Sequence, residues 1–185
     1  MSRTWKMMCF LVLLSLCLVG FVDAGAEVAN NCPVSIWCAI VMGYDPTDQT
    51  PVNERLAVSW VSQNPGQVLS SNFADHAQNT SMAMMCTRDP GANKPLVTQL
   101  EYTWMRDLGQ TYFDVSNVEG EPFADEGFIM TVKDPKTPLF NTCYGAHCEA
   151  GDTSCNQVYE KSNDDFQGMR TCSDSVDILL TLCSG

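Results

Sequence analysis

Along residues 97–123 (VTQLEYTWMRDLGQTYFDVSNVEGEPF) apolar and polar positions alternate, the alternation stops at Arg106-Asp107-Leu108-Gly109, and then it resumes. This is the pattern of a β-hairpin, two half-buried strands around a turn. With residues 106–109 as the loop, Met105 pairs with Gln110, and counting back pairs Trp104 with Thr111, Tyr102 with Phe113 and Leu100 with Val115. Successive strand residues point to opposite faces. The register therefore gathers Leu100, Tyr102, Trp104, Phe113 and Val115 on a core face. The other face carries Thr103 against Tyr112 and Glu101 against Asp114.

The rest of the chain is read by the same criterion. Residues 31–41 (NCPVSIWCAIV) are β-branched and aromatic and predict a strand, with Pro33 tolerated near its start. Residues 43–51 are a loop by composition, residues 55–61 and 67–70 predict short strands, and Asn64-Pro65-Gly66 marks a turn between them. Residues 71–81 are polar and read as surface, ending in the sequon Asn79-Thr80-Ser81. Strands follow at 81–87, where Met82, Met84 and Met85 are expected as packing residues, and at 126–132, before a break at 134–138. Residues 173–183 predict a closing strand with Val176, Ile178, Leu180 and Leu182 on one face. Long amphipathic helical periodicity is absent, so the expected fold is all-β, a sandwich of short strands.

The N-terminus changes the picture of where the protein works. Arg3 and Lys6 precede an apolar run of about 13 residues, and small residues at Ala24, Gly25 and Ala26 follow, as in a secretory leader cleaved after Ala24 or Ala26. The run is too short for a comfortable membrane span, and no later segment approaches the necessary length. Residues 1–24 are thus expected to be a signal peptide and residues 25–185 one domain, secreted and extracellular.

Export also assigns the cysteines. Cys9 and Cys17 leave with the leader, and Cys32, Cys38, Cys86, Cys143, Cys148, Cys155, Cys172 and Cys183 remain, an even set expected to form disulfides in an oxidising compartment. Sequence spacing does not choose among their pairings. Cys143, Cys148 and Cys155 cluster near His147, but the spacing is not a close zinc pattern, and no metal or cofactor is expected. The whole chain carries a formal charge of −12; the leader takes Arg3, Lys6 and Asp23 with it, so 8 basic residues face 21 acidic ones. That balance repels nucleic acid and anionic lipid and suits a polycation, a cation or a neutral polysaccharide. His76 and His147 lie in no recognisable nucleophile setting, which argues against a hydrolase triad.

The opposed acids are the candidate chemistry. Carboxylates directly across a β-pair repel, and a fold that keeps them must supply a cation, hydrogen bonds or a raised pKa on one member. The bland alternative is a solvated acidic face whose side chains splay apart.

Four stretches together support a family resemblance: Asn31-Cys32-Pro33-Val34, Thr98-Gln99-Leu100-Glu101-Tyr102-Thr103, residues 112–120 (YFDVSNVEG), and Leu180-Thr181-Leu182-Cys183. The chain resembles the thaumatin-like proteins and looks closest to the small fungal antigenic group, the Blastomyces yeast-phase-specific antigen family. The resemblance implies a thaumatin-like β-sandwich with a disulfide-rich loop region, a bond between Cys32 and Cys183, and an acidic cleft mapped onto Glu101, Asp114 and Glu119. Glu119 stands where an Asp is usual, and Arg88 is the candidate for the basic member of the cleft.

Three functions compete. The first is a cell-wall-associated protein that binds β-glucan or another polysaccharide through Glu101, Asp114, Glu119, Tyr112 and Arg88, with glycosylation at Asn79. The second is a weak endo-β-1,3-glucanase with Glu101 and Asp114 as the catalytic pair, which requires carboxyls about 5–5.5 Å or about 6.5–9.5 Å apart and one raised pKa. An open sheet face is expected to desolvate them little, with Tyr112 and Tyr144 as the only substrate walls. The third is a host-interface adhesin or effector whose partner is a host surface protein. A monomer is expected in each case.

Overall fold

The architecture follows from strands that each have one apolar edge and must bury it against another sheet. The structure, a computed structural model, describes residues 24–42, 58–133 and 142–185. Most of the predicted leader, the loop at 43–51, residues 55–57 of the strand expected at 55–61 and the break at 134–138 lie outside the described residues; of the rest of that expected strand, 58–60 are not strand and only Val61 is.

Eleven strands are present among the described residues: β1 (Gly25–Asn30), β2 (Ile36–Met42), β3 (Val61–Gln63), β4 (Val68–Asn72), β5 (Ser81–Thr87), β6 (Thr98–Met105), β7 (Gln110–Ser116), β8 (Phe128–Lys133), β9 (Ala146–Cys148), β10 (Arg170–Ser173) and β11 (Asp177–Leu182). The one α-helical turn among the described residues, α1, spans Asp165–Gly168. The strands form a five-stranded sheet ordered β4-β1-β11-β8-β9 and a six-stranded sheet ordered β10-β7-β6-β5-β2-β3. β1 runs parallel to β11, while the other strand pairs are antiparallel.

The all-β expectation holds, and so does the hairpin register, with Leu100 opposite Val115, Tyr102 opposite Phe113, Trp104 opposite Thr111 and Met105 opposite Gln110. Arg106–Leu108 form a 3-10 turn, and Gly109 closes it at φ 64°, a left-handed conformation that a glycine takes without strain. The inward face of this hairpin meets Ala26, Val28, Phe128, Met130, Ile178, Leu180 and Leu182 in one hydrophobic core. Each such side chain, fully buried, contributes about 1.5–3 kcal/mol. Met82 and Met84 are core residues, as their setting predicts.

Several sequence expectations need correction, among them the closing strand at 173–183: Ser173 ends β10, residues 174–175 turn, and β11 starts only at Asp177. Residues 31–35 are not strand: the chain leaves β1 at Asn30, turns, and enters β2 at Ile36. The buried Asn30 side chain organises that turn by donating to the carbonyls of Val34 (3.0 Å) and Gln63 (2.8 Å) and accepting from the Cys32 amide (2.9 Å). Residues 71–81 are not all surface, because Ser71 and Phe73 are buried, and the Phe73 ring packs 5.0 Å from Tyr102. The strands β1 and β10 escape a hydrophobicity search, since one is built of small residues and the other, Arg-Thr-Cys-Ser, is wholly buried while mostly polar.

Four disulfides form: Cys32–Cys183, Cys38–Cys86, Cys143–Cys172 and Cys148–Cys155. The first joins residues 151 apart in sequence and ties the end of β11 to the turn after β1; the last closes a loop of only 7. By chain entropy, the long loop is worth roughly 5 kcal/mol and the short one roughly 2 kcal/mol. Cys32→Ser/Cys183→Ser is therefore expected to lower the urea midpoint about twice as far as Cys148→Ser/Cys155→Ser. β1 also bears on processing: Gly25 pairs with both Asn72 and Asp177, and Ala26 is fully buried. Cleavage after Ala26 would remove a third of a central strand, so the N-terminus of exported protein is expected to be Gly25, readable from its intact mass.

Candidate functional site

The hairpin that builds the core also places the acids. On the outer face of the six-stranded sheet Glu101 lies directly opposite Asp114, and Thr103 opposite Tyr112. β10 pairs with β7 only as far as Phe113. Beyond that point the edge of β7 is covered by Tyr159, whose amide donates to the Val115 carbonyl at 2.9 Å and whose carbonyl accepts from the Asn117 amide at 2.8 Å. Asp114 sits at this change of neighbour and is only 8% exposed. Met169 leads into β10 and stands at the same junction. Glu101, Asp114, Thr103, Tyr112, Ser81 and Met169 line an open groove of ≈ 300 Å³.

The groove is less wet than an open sheet face implies. Burial raises the Glu101 pKa above its ordinary value of 4.5, and side-chain hydrogen bonds with Asp114 and Ser116 pull in the other direction without cancelling it. An ionised carboxylate is an acceptor only, so a hydrogen bond between two carboxyls requires one of them to hold a proton. Burial thus favours the protonated form of Glu101, which eases the repulsion built into the register.

The remaining sequence candidates go elsewhere. Arg88 does not line the groove. It donates to the Pro122 carbonyl (2.8 Å) and to Glu126 (2.6 Å), with its guanidinium 4.9 Å from the centre of the Phe123 ring. Glu119 is half-exposed and 3.6 Å from Lys94. Tyr144 is half-exposed and is not among the groove-lining residues. Asn79 is exposed and takes φ 62°, a conformation that asparagine tolerates. His76 does contact a serine, with Nε2 2.8 Å from Ser71 Oγ, but that hydroxyl is buried and also held by Tyr102 OH at 2.6 Å. The contact is a buried tether rather than an accessible nucleophile.

The cation near the pair is Arg170, which sequence reasoning missed. It is 1% exposed and donates to the carbonyls of Gly145 (3.2 Å), Gln157 (2.8 Å) and Gly168, with its guanidinium 5.1 Å from the centre of the Tyr144 ring. Burial lowers its pKa, while the charges of Tyr144 and Asp114 work against that. The available signal was its isolation: no Lys or Arg follows Lys161 except Arg170, two residues before a cysteine. Among the described residues no group of His, Cys, Asp and Glu side chains is arranged to hold a metal ion.

The family model described as Blastomyces yeast-phase-specific protein matches residues 22–184. The chain belongs to that family. An antigenic thaumatin-like protein of Arthroderma benhamiae is 24% identical over 125 residues, 68% of this chain; the match spans 58% of that relative's length. Two solved structures share the fold. The protein elicitor MoHrip2 of Magnaporthe oryzae superposes with a TM-score of 0.60 at 18% identity over 88% of this chain and all of the other. The thaumatin-like xylanase inhibitor TLXI gives 0.53 at 12% identity over 86% and 99%. The thaumatin-like β-sandwich expected from the sequence is therefore the fold of this member of the Blastomyces yeast-phase-specific protein family.

The Glu101 shift has a consequence for stability. The folded state holds this proton more tightly than the unfolded chain, so the contribution is complete below pH 4.5 and is lost as pH rises through the higher folded-state value. Glu101→Gln is expected to raise the urea midpoint at pH 7, with the gain shrinking to nothing as pH falls below 4. Equal midpoints at pH 7 would contradict the upward shift that burial imposes on Glu101.

Proposed function

We propose that this family member is a secreted protein that binds cell-wall polysaccharide, β-glucan above all, in the Glu101–Asp114 groove. The observation that carries this reading is a hydrogen-bonded carboxyl pair in an open groove on a rigid sheet, beside the Tyr112 side chain and the Ser81 and Thr103 hydroxyls. Carboxyl oxygens accept sugar hydroxyls, and an aromatic ring takes the C–H face of a pyranose. The four disulfides fit an oxidising compartment, and no helix among the described residues is long and apolar enough to cross a membrane.

The same geometry weighs against glycoside hydrolysis. Carboxyls in direct hydrogen-bond contact lie closer than the about 5–5.5 Å of retaining enzymes and far closer than the about 6.5–9.5 Å of inverting ones. Binding needs no such gap. The elicitor and inhibitor named by the two solved structures keep a protein partner in view as the second reading, and Phe166, 86% exposed a few residues from the groove wall at Met169, is its natural anchor.

A pull-down on insoluble β-1,3-glucan, chitin and cellulose, with reducing-sugar release measured alongside, tests these readings. Retention on β-1,3-glucan without release is expected, weakened about tenfold by Tyr112→Ala, the loss typical of a good aromatic anchor. Release abolished by Glu101→Gln would replace this reading with the glucanase. No retention on any of the three would transfer the function to a protein partner.

A further inference from the structure

A second cavity lies at the end of the hairpin. It has a volume of ≈ 370 Å³ and is lined by Ala74, His76, Gln78, Trp104, Arg106 and Asp107. It shares no lining residue with the acidic groove. Trp104 belongs to the inward-facing set of β6, with Leu100 and Tyr102, so this cavity opens where the core reaches the end of the sandwich rather than on the outer face of the sheet.

Its walls are held in place without a ligand. The Trp104 indole Nε1–H donates to the Asp174 carbonyl at 3.0 Å, and the ring lies against Phe73 with centroids 6.4 Å apart. Gln78 Nε2 donates to Asp107 Oδ2 at 2.9 Å. His76 is tethered through Nε2 to the Ser71 hydroxyl, which Tyr102 also engages. Arg106 brings its guanidinium 5.9 Å from the centre of the Trp104 ring. Gln78, Arg106 and Asp107 are exposed, whereas Trp104 is half-buried.

A tryptophan that merely plugs the end of a core has no need of four polar side chains around its open side. We propose that this cavity is a saccharide-binding subsite, with the Trp104 ring as the platform for one pyranose. A sugar ring combines an apolar C–H face with an edge of vicinal hydroxyls. An indole face matches the first, and planar amide, carboxylate and guanidinium groups match the second, since each offers two hydrogen-bonding atoms on one edge. The volume sits at the lower end of the about 300–1,000 Å³ usual for small-ligand sites, which suits one or two sugar units. Arg106 and Asp107 balance each other in charge, so the site selects a neutral glycan, unlike the acidic groove. Fixed walls reduce the ordering cost of binding a weakly held ligand. The inference does not rest on the acidic-groove reading.

The site is adjacent to the sequon, because the Asn79 amide donates to the Trp104 carbonyl at 2.8 Å. The competing occupant is therefore a glycan attached to Asn79 itself. The test follows the Trp104 indole signal by 1H–15N NMR in Asn79→Gln protein, titrated with laminarihexaose, chitohexaose or xylohexaose. The signal is assigned by its loss in Trp104→Phe. A saturable shift with at least one of these is expected, weakened about tenfold in Arg106→Ala and in Gln78→Ala, exposed positions whose truncation leaves the core intact. No shift at millimolar oligosaccharide overturns the proposal, as does a shift indifferent to both truncations. A Trp104 signal that moves only when glycosylated wild-type protein is enzymatically deglycosylated assigns the cavity to the chain's own glycan and equally overturns it.

Discussion

The pairing of β6 with β7 is the constraint on which the rest depends. In a strand pair the side-chain period is two, so a slip of one residue would turn Leu100, Tyr102, Phe113 and Val115 out to solvent and carry the acids into the core. Burial of those four side chains makes such a slip very costly, and the register is correspondingly rigid. Glu101 then has no choice of neighbour: it faces Asp114 because Tyr102 faces Phe113. The acidic pair is a by-product of core formation in position, and its chemistry is decided by what covers it.

What covers it is the cysteine-rich excursion. The segment between β9 and β10 has little core of its own and is held by Cys148–Cys155 and Cys143–Cys172. It protects the outer edge of β7, first through β10 and then through Tyr159, and an open edge is what sandwiches must avoid. The same segment brings in Met169 as a groove wall and Arg170 as a buried charge. Arg170 donates to the backbone carbonyls of Gly145 and Gln157 and lies against the Tyr144 ring. The buried guanidinium and Asp114 also act on each other through their opposite charges.

This division explains what could be read from the chain. The hairpin and the buried face of β11 were legible because each alternates with period two, β5 because its run is apolar throughout, and 106–109 carries its own turn signal. Glu101 opposite Asp114 was legible for the same reason. Arg88 and Glu119 were attached to the pair by analogy and proximity in sequence, and the fold separates them, one toward Glu126 and the other toward Lys94. β10 and Arg170 were hidden because their burial is imposed by a disulfide and by a neighbouring strand edge rather than by their own hydrophobicity. Ser71, His76 and Phe73 were hidden in a stretch whose average polarity masks one buried aromatic ring. Pairwise periodicity reports on residues that drive a fold; it is silent on residues that the fold encloses.

The closeness of Glu101 and Asp114 bears on what the groove can do. A glycosidase needs two carboxyls in different roles, one holding a proton and one free to act on the opposite side of the sugar, with room between them. A pair that hydrogen-bonds to itself is one unit with one proton, and its two ionisations belong to the pair. Separating the two groups would expose a repulsion that the register cannot relax, since the backbone ladder on both sides is continuous from Gln99–Ser116 to Met105–Gln110. As a unit, however, the pair offers carboxyl oxygens at a fixed spacing. The physics that holds the sheet together is therefore what keeps the two carboxyls side by side.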